Sequence, residues 1–360
     1  MSFRKLTIRD VDWGGKTALV RVDYNVPIRD GEVAEDMRIR ASLPTIEYLL
    51  THGANKVILL SHLGRPEGQA KAEFSLKPAA KRLALLLTGF GPVSFLDTAV
   101  GEKVKPVVDS LPNGAVLVLE NLRFSPAEEA NDEAFARQIV AETGADVFVQ
   151  DGFAVIHRAH ASTDAIARLL PAVAGLLVEK EVMHLEGAIA QPEHPVLVIV
   201  GGAKVADKTP LIERFLPIAD NIAVGGKIAA DGYTATDPKI FVAKGFAENA
   251  DGAKLDIDAA SATQIVSMIQ AAKTIVWNGT MGMTEEAEFS RGSQLIAEAM
   301  GRLGADVKTI IGGGDTAGYV ESLMRKDASL HYSLVSTGGG ASLELLSGKT
   351  LPGLEVLQNR

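Results

Sequence analysis

Two lysines, Lys204 and Lys208, stand four residues apart just beyond the glycine pair Gly201-Gly202, where the apolar run VLVIV gives out. Glycines at such a place let backbone N–H groups approach an anion closely, and ammonium groups beside them would neutralise its charge. A glycine after a strand is also ordinary turn chemistry, so the pair taken alone has two readings. Three further clusters close apolar runs in the second half: Gly225-Gly226, Gly312-Gly313-Gly314 and Gly338-Gly339-Gly340. Asp315 and Thr316 follow Gly314 directly. A carboxylate there suits Mg²⁺, which takes one or two carboxylates and fills its shell with phosphate oxygens; a helix N-cap is the other use of Asp315. None of the clusters reads GxxxxGK[ST] or a clean GxGxxG, which sets aside both familiar nucleotide loops and a nicotinamide dehydrogenase.

The first half carries a different set: Arg21, Asp23 and Asn25 in RVDYNVP; Arg38 in DMRIR; His62 and Arg65 in SHLGRP; Arg123 in ENLRF; and His157, Arg158 and His160 in HRAH. A guanidinium fork matches phosphate and carboxylate geometry. Any one of these arginines could be a solvated surface ion pair, but together, just beyond strands, they describe a pocket for a small and strongly anionic molecule. The two histidines of HRAH lack the further ligands a metal needs. Glu128-Glu129 reads as the solvated start of a helix. One half is thus suited to a small polyanion and the other to phosphates with magnesium, a pairing that calls for phosphoryl transfer between ligands held on facing domains.

These residues need strands to place them. TALVRV, KVILL, AVLVL and DVFV in the first half, and VLVIV, NIAV, TIVW and KTII in the second, are short runs followed by glycine or polar loops and then helix-period segments. Uniformly apolar runs suit strands buried on both faces, and their alternation with helices points to βαβ units on parallel sheets. Between the two sets, from Pro171 to Pro192, Val178, Val182, Leu185 and Ile189 recur at helical spacing. That segment reads as one helix joining two α/β domains. Pro210 complicates the lysine pair: either a helix begins near Thr209 with both lysines in the approach loop, or it is kinked.

The chain has 360 residues, room for two domains. Its 36 Lys and Arg against 45 Asp and Glu leave a net charge of −9, which argues against a nucleic-acid-binding surface. Cysteine is absent, which excludes disulfides, thiolate metal sites and a cysteine nucleophile. The start MSFRKLTIRDVDWGGK has no apolar stretch of the signal-peptide kind, and no run approaches the ~20 residues of a membrane-spanning helix. The expectation is a cytoplasmic protein.

In order, RVDYNVP, SHLGRP, LENLRF, HRAHAS, GGAKVADK, VWNG, GGGDT and STGGGAS resemble the motifs of the phosphoglycerate kinase family over essentially the whole chain. The resemblance implies two Rossmann-like αβα domains with parallel sheets, joined by a helix and facing across a cleft. Their expected spans are residues 1–172 for phosphoglycerate, 173–191 for the connecting helix and 192–345 for the nucleotide, with 346–360 packing back toward the first domain. It implies reversible, Mg²⁺-dependent transfer between 1,3-bisphosphoglycerate and ADP, giving 3-phosphoglycerate and ATP, by a monomer acting on small molecules. Matched motif by motif, Asp23, Asn25, Arg38, His62, Arg65, Arg123 and Arg158 would bind 3-phosphoglycerate. Lys204, Lys208, Asn278, Glu285, Gly314, Asp315 and Thr316 would serve the nucleotide, with Glu285 on the ribose and Asp315 at the metal. Arg38 and Lys204, assisted by the N–H groups of Gly313 and Gly338, would contact the transferring group.

Departures from the family pattern cluster. Lys227 stands where a third glycine is usual, Asp258 replaces a glycine, Thr280 a proline and Thr284 a phenylalanine, and the segment 227–275 is short. The loop Gln150-Asp-Gly-Phe-Ala-Val-Ile before HRAH also differs. These changes raise the alternative of a phosphoglycerate-binding homologue with altered nucleotide preference or little turnover.

Overall fold

The computed structural model describes residues 3–360, and the chain divides into two units. One comprises the chain as far as Lys180 together with Thr350–Arg360; the other is Glu181–Lys349.

The first unit is built on a sheet of six strands: β1 (Thr17–Arg21), β2 (Lys56–Leu60), β3 (Val93–Leu96), β4 (Ala115–Leu119), β5 (Val147–Gln150) and β6 (Ala172–Ala174). Their spatial order is β3-β4-β2-β1-β5-β6, and every pair is parallel. Val20 of β1 lies between Leu59 and Val149, all three wholly buried. Burying a side chain of this size contributes roughly 1.5–3 kcal/mol. The end of the chain returns here: the Leu6 N–H donates to the Gln358 carbonyl at 2.8 Å, and the Gln358 N–H donates to that of Ala172 at 3.0 Å.

The second unit repeats the plan with β7 (Val196–Val200), β8 (Asn221–Val224), β9 (Ile240–Val242), β10 (Thr274–Asn278), β11 (Lys308–Gly312) and β12 (Leu334–Val335). The order is β9-β8-β7-β10-β11-β12, again all parallel. Counted within the unit this is 3-2-1-4-5-6, a doubly wound arrangement whose direction reverses between β7 and β10. Ligands of such sheets sit beyond the strand ends at that reversal.

All eight apolar runs of the sequence are strands, and they occupy the central positions of the two sheets. The connecting helix is corrected at its start. It spans Leu176–Ala190, whereas Ala172–Ala174 pairs with β5 as an edge strand. Of the two readings of the lysine pair, the one that starts the helix near Thr209 is overturned: the helix after Gly202 is Val205–Phe215, so Lys208 lies within it, Lys204 is its N-cap and Pro210 is interior.

What starts the connecting helix is a buried carboxylate at the end of β5. Oδ1 of Asp151 accepts the Leu177 N–H at 3.0 Å, and Thr45 Oγ1 accepts that of Leu176 at 2.9 Å. Burial raises the Asp151 carboxyl to about 7, against the lowering effect of hydrogen bonds from Thr45, Leu177 and Val178. The folded value lies above the ordinary 3.8, so between about pH 4 and 7 the folded chain holds a proton that the unfolded chain releases. This group's contribution is therefore greatest in acid and declines as pH rises to 7. Asp151→Asn keeps the acceptor and removes the titration. Urea denaturation should show the variant gaining on the wild type by on the order of 3 kcal/mol between pH 4 and 8, at ~1.4 kcal/mol per pKa unit; a pH-independent difference would show that Asp151 does not titrate this way.

Candidate functional site

In the first unit the expected residues stand at the carboxyl ends of the strands. Asp23 and Asn25 follow β1, His62 and Arg65 follow β2, Arg123 sits in the short helical turn after β4, and Arg158 in the loop after β5. Arg38, in the first turn of the helix Met37–Thr51, donates from Nη1 to Asp23 Oδ2 at 2.6 Å and to the Asn25 carbonyl at 3.2 Å. The Asn25 side chain accepts the Gly64 N–H at 2.9 Å, and Arg123 Nη1 donates to the Gly64 carbonyl at 2.8 Å. His62 is buried among these cations. Desolvation first, then the charges of Arg21, Arg123, Arg38 and Arg158, hold its imidazole well below the ordinary value, so the ring is neutral at pH 7. Arg65 is exposed, with no ion pair or hydrogen bond of its side chain among the described residues.

Two residues here carry more than their sequence suggested. Glu128 is not a solvated helix start: it is wholly buried, and its Oε1 accepts from Ser162 Oγ at 2.6 Å and its Oε2 from the Ser162 N–H at 3.0 Å. Arg21, also wholly buried, lies 4.0 Å from Glu128 and donates from Nε to Ser162 Oγ at 2.7 Å. Glu128 and Glu129 do lie in a short helix, Pro126–Glu129, but sequence could not show that the segment around Ser162 folds over it. A cavity of about 630 Å³ elsewhere in this unit, lined in part by Lys71, Lys77 and Phe124, includes none of the expected residues.

In the second unit the glycines allow backbones to meet at the sheet's reversal point. A Cβ on Gly279, whose φ is +100°, would lie 2.1 Å from the Gly201 carbonyl oxygen. Asn278, the buried last residue of β10, accepts a hydrogen bond from Lys208 Nζ, while its Nδ2 has no partner. Burial lowers the Lys208 pKa, and the carboxylates of Asp207 and Asp315 oppose the shift. Thr316 Oγ1 accepts the Gly279 N–H at 2.9 Å. Gly313, at φ +90°, precedes the helix Gly314–Lys326, whose first turn exposes Asp315. Lys204 is exposed and its side chain has no hydrogen bond or ion pair among the described residues. The Gly338 N–H donates to Ser336 Oγ at 3.0 Å and is thus already engaged. Glu285 is exposed in a turn.

The departures have local partners. Lys227 Nζ pairs with Asp231 at 2.7 Å along its own short helix, and Asp258 caps the helix Ala259–Ala271 by accepting the Ser261 N–H at 2.8 Å. Thr284 lies half-buried in a turn. Among the described residues no group of three or more His, Cys, Asp or Glu could cage a metal, and no helix is long and apolar enough to cross a membrane.

A pair of doubly wound α/β units, one with arginines and the other with lysines and glycines at its strand ends, defines a phosphotransferase of the kinase class. The phosphoglycerate kinase family model matches residues 8–241 and 235–349, and the chain belongs to that family. The break between the two matches falls within the short segment after Lys227. The chain is 42% identical over 400 residues to a phosphoglycerate kinase of Roseiflexus sp. (strain RS-1), covering 99% of each, and 41% identical over 401 residues to that of Moorella thermoacetica, covering 99% of this chain and 100% of the relative. Among solved structures, the phosphoglycerate kinase of Coxiella burnetii aligns with a TM-score of 0.78 at 31% identity, and that of Pyrococcus horikoshii OT3 with 0.83 at 27%, each covering 98% of both chains.

The close approach at Gly279 gives a direct test. Gly279→Ala should lose on the order of 1–3 kcal/mol, because positive φ and a backbone clash coincide there; unchanged urea denaturation would mean that the two strand-end loops can part freely.

Proposed function

We propose that this enzyme transfers a phosphoryl group reversibly between 1,3-bisphosphoglycerate and ADP, giving 3-phosphoglycerate and ATP. The observation that carries the reading is the field of Arg21, Arg38, Arg123 and Arg158 around the buried, neutral His62, in a chain that matches this family over residues 8–349. In this reading Arg38, Arg65, Arg123 and Arg158 bind the phosphate and carboxylate of the triose. Asp23 and Asn25 hold Arg38 and the Gly64 backbone in place and accept from the substrate hydroxyl. Lys208 and Asn278 bind nucleotide phosphate, Thr316 and the start of the helix Gly314–Lys326 lie beside it, and Glu285 takes the ribose.

The donor set fits Mg²⁺ held at Asp315. An exposed carboxylate near a phosphate-binding lysine is what a hard cation needs when phosphate oxygens complete its shell. Bound there, the ion would offset phosphate charge. Catalysis then rests on positioning and on donors that meet the charge spread over the equatorial oxygens, with no covalent intermediate. Arg38 and Lys204 are the donors to the transferring group; the N–H groups of Gly313 and Gly338 join them only on leaving Ser342 Oγ, at 3.4 Å, and Ser336 Oγ, at 3.0 Å. Lys204 has no competing partner among the described residues, which leaves its ammonium available. The reading carries with it a cytoplasmic monomer, and the net charge of −9 favours small-molecule partners over nucleic acid.

Losing one preorganised donor typically costs 10²–10³ in rate. In a coupled assay, Lys204→Ala and Arg38→Ala should each lose kcat on that scale while thermal unfolding is unchanged. Near-normal turnover in either variant would remove that residue from the transfer step.

A further inference from the structure

Behind His62 lies a chain of buried groups that the reaction as proposed does not use. Glu128 accepts twice from Ser162, through the backbone N–H and the hydroxyl. The same hydroxyl oxygen accepts from Arg21 Nε at 2.7 Å. Arg21 Nη1 donates to the Val22 carbonyl and, at 3.4 Å, to that of Leu60. With these directions taken, Arg21 Nη2 points to His62 Nδ1 at 3.3 Å. Arg21, Glu128 and Ser162 are all wholly buried.

Hydrogen-bond chemistry fixes what this contact means. A guanidinium has only donors, so the His62 nitrogen facing it must offer a lone pair. An imidazolium, or the tautomer protonated at Nδ1, would set two donors against each other. Among the described residues the carboxylate paired with Nδ1 is Asp23, whose Oδ1 is 3.8 Å away and whose Oδ2 is held by Arg38. The remaining charges acting on the ring are the cations Arg123, Arg38 and Arg158, which also disfavour the imidazolium.

We infer that Glu128, acting through Ser162 and Arg21, positions His62 as the neutral tautomer protonated at Nε2, so that the ring presents an N–H donor to the anionic substrate. Glu128, Ser162 and Arg21 are positioning residues: they set which face of His62 is a donor without touching the ligand. The carboxylate also balances the buried guanidinium, which would otherwise be costly to place beside three more arginines. The inference deepens the phosphoglycerate reading, since the donor is useful only toward an anion.

The test is spectroscopic first. Two-bond ¹H–¹⁵N spectra of the ligand-free wild-type enzyme should show His62 as the neutral Nε2–H form from pH 5.5 to 8, without titration. In Ser162→Ala and Glu128→Gln the ring should mix tautomers or titrate within that range. KM for 3-phosphoglycerate should rise about tenfold, the scale of one lost charge-assisted hydrogen bond, with KM for ATP unchanged. If Glu128→Gln fails to fold because Arg21 loses its counter-charge, the double variant Arg21→Met/Glu128→Met removes both buried charges, and His62 should then titrate. A wild-type signal protonated at Nδ1, or a tautomer untouched in every variant, overturns the inference. The expected wild-type signal in an enzyme that does not turn over 3-phosphoglycerate would instead support the tautomer and remove the reaction.

Discussion

In a parallel sheet covered on both faces, nothing polar can sit along the strands without a partner, and all strands end at the same edge. That constraint organises both units. Val57, Leu59, Val118 and Val149 fill the interior of the first, and Val198, Ile199, Val276 and Ile311 that of the second. The first residues free to be polar come where each strand stops, and strands far apart in sequence stop side by side. Asp23, His62, Glu120 and Asp151 arrive within one edge for this reason, although up to 128 residues separate them in the chain.

Gathering guanidinium groups at such an edge creates an electrostatic problem, because a buried cation is costly unless it is paired. The fold answers by dividing the arginines. Arg21 goes inward, where Glu128, Ser162 and backbone carbonyls satisfy it. Arg38, partly exposed, is held by Asp23, while Arg123 is itself buried and pairs with the exposed Glu129; Arg65 stays exposed. The buried Arg21–Glu128 pair is thus separate from the partly and fully exposed guanidinium groups of Arg38 and Arg65. An acidic protein can in this way hold a strongly positive site, since local arrangement and not net charge sets the potential there.

The second unit meets a different demand. Its strand-end loops approach each other closely, so the limiting quantity is space. Gly201, Gly226 and Gly279 lie where any Cβ would clash with neighbouring backbone, and Met281 fills the remaining volume over Gly201 and Gly225. Asn278 is sealed beneath this layer with its amide Nδ2 unpaired. Lys227 and Asp258, which look in sequence like intrusions, are spent on their own helices.

The eight strands legible as apolar runs were the central four of each sheet, because only strands covered on both faces must be apolar at every position. The edge strands Val93–Leu96, Ala172–Ala174, Ile240–Val242 and Leu334–Val335 escaped notice: they are short, and an edge needs less cover. The identity and order of the charged motifs were likewise written in the chain, since residue type alone says where an anion could be met. What sequence could not supply was direction. Whether Glu128 faces water or Arg21, whether Lys208 lies before or inside its helix, and which nitrogen of His62 meets a guanidinium all depend on segments remote in sequence folding across one another. Those outcomes belong to packing, because burial and partner geometry exist only once the sheets have closed.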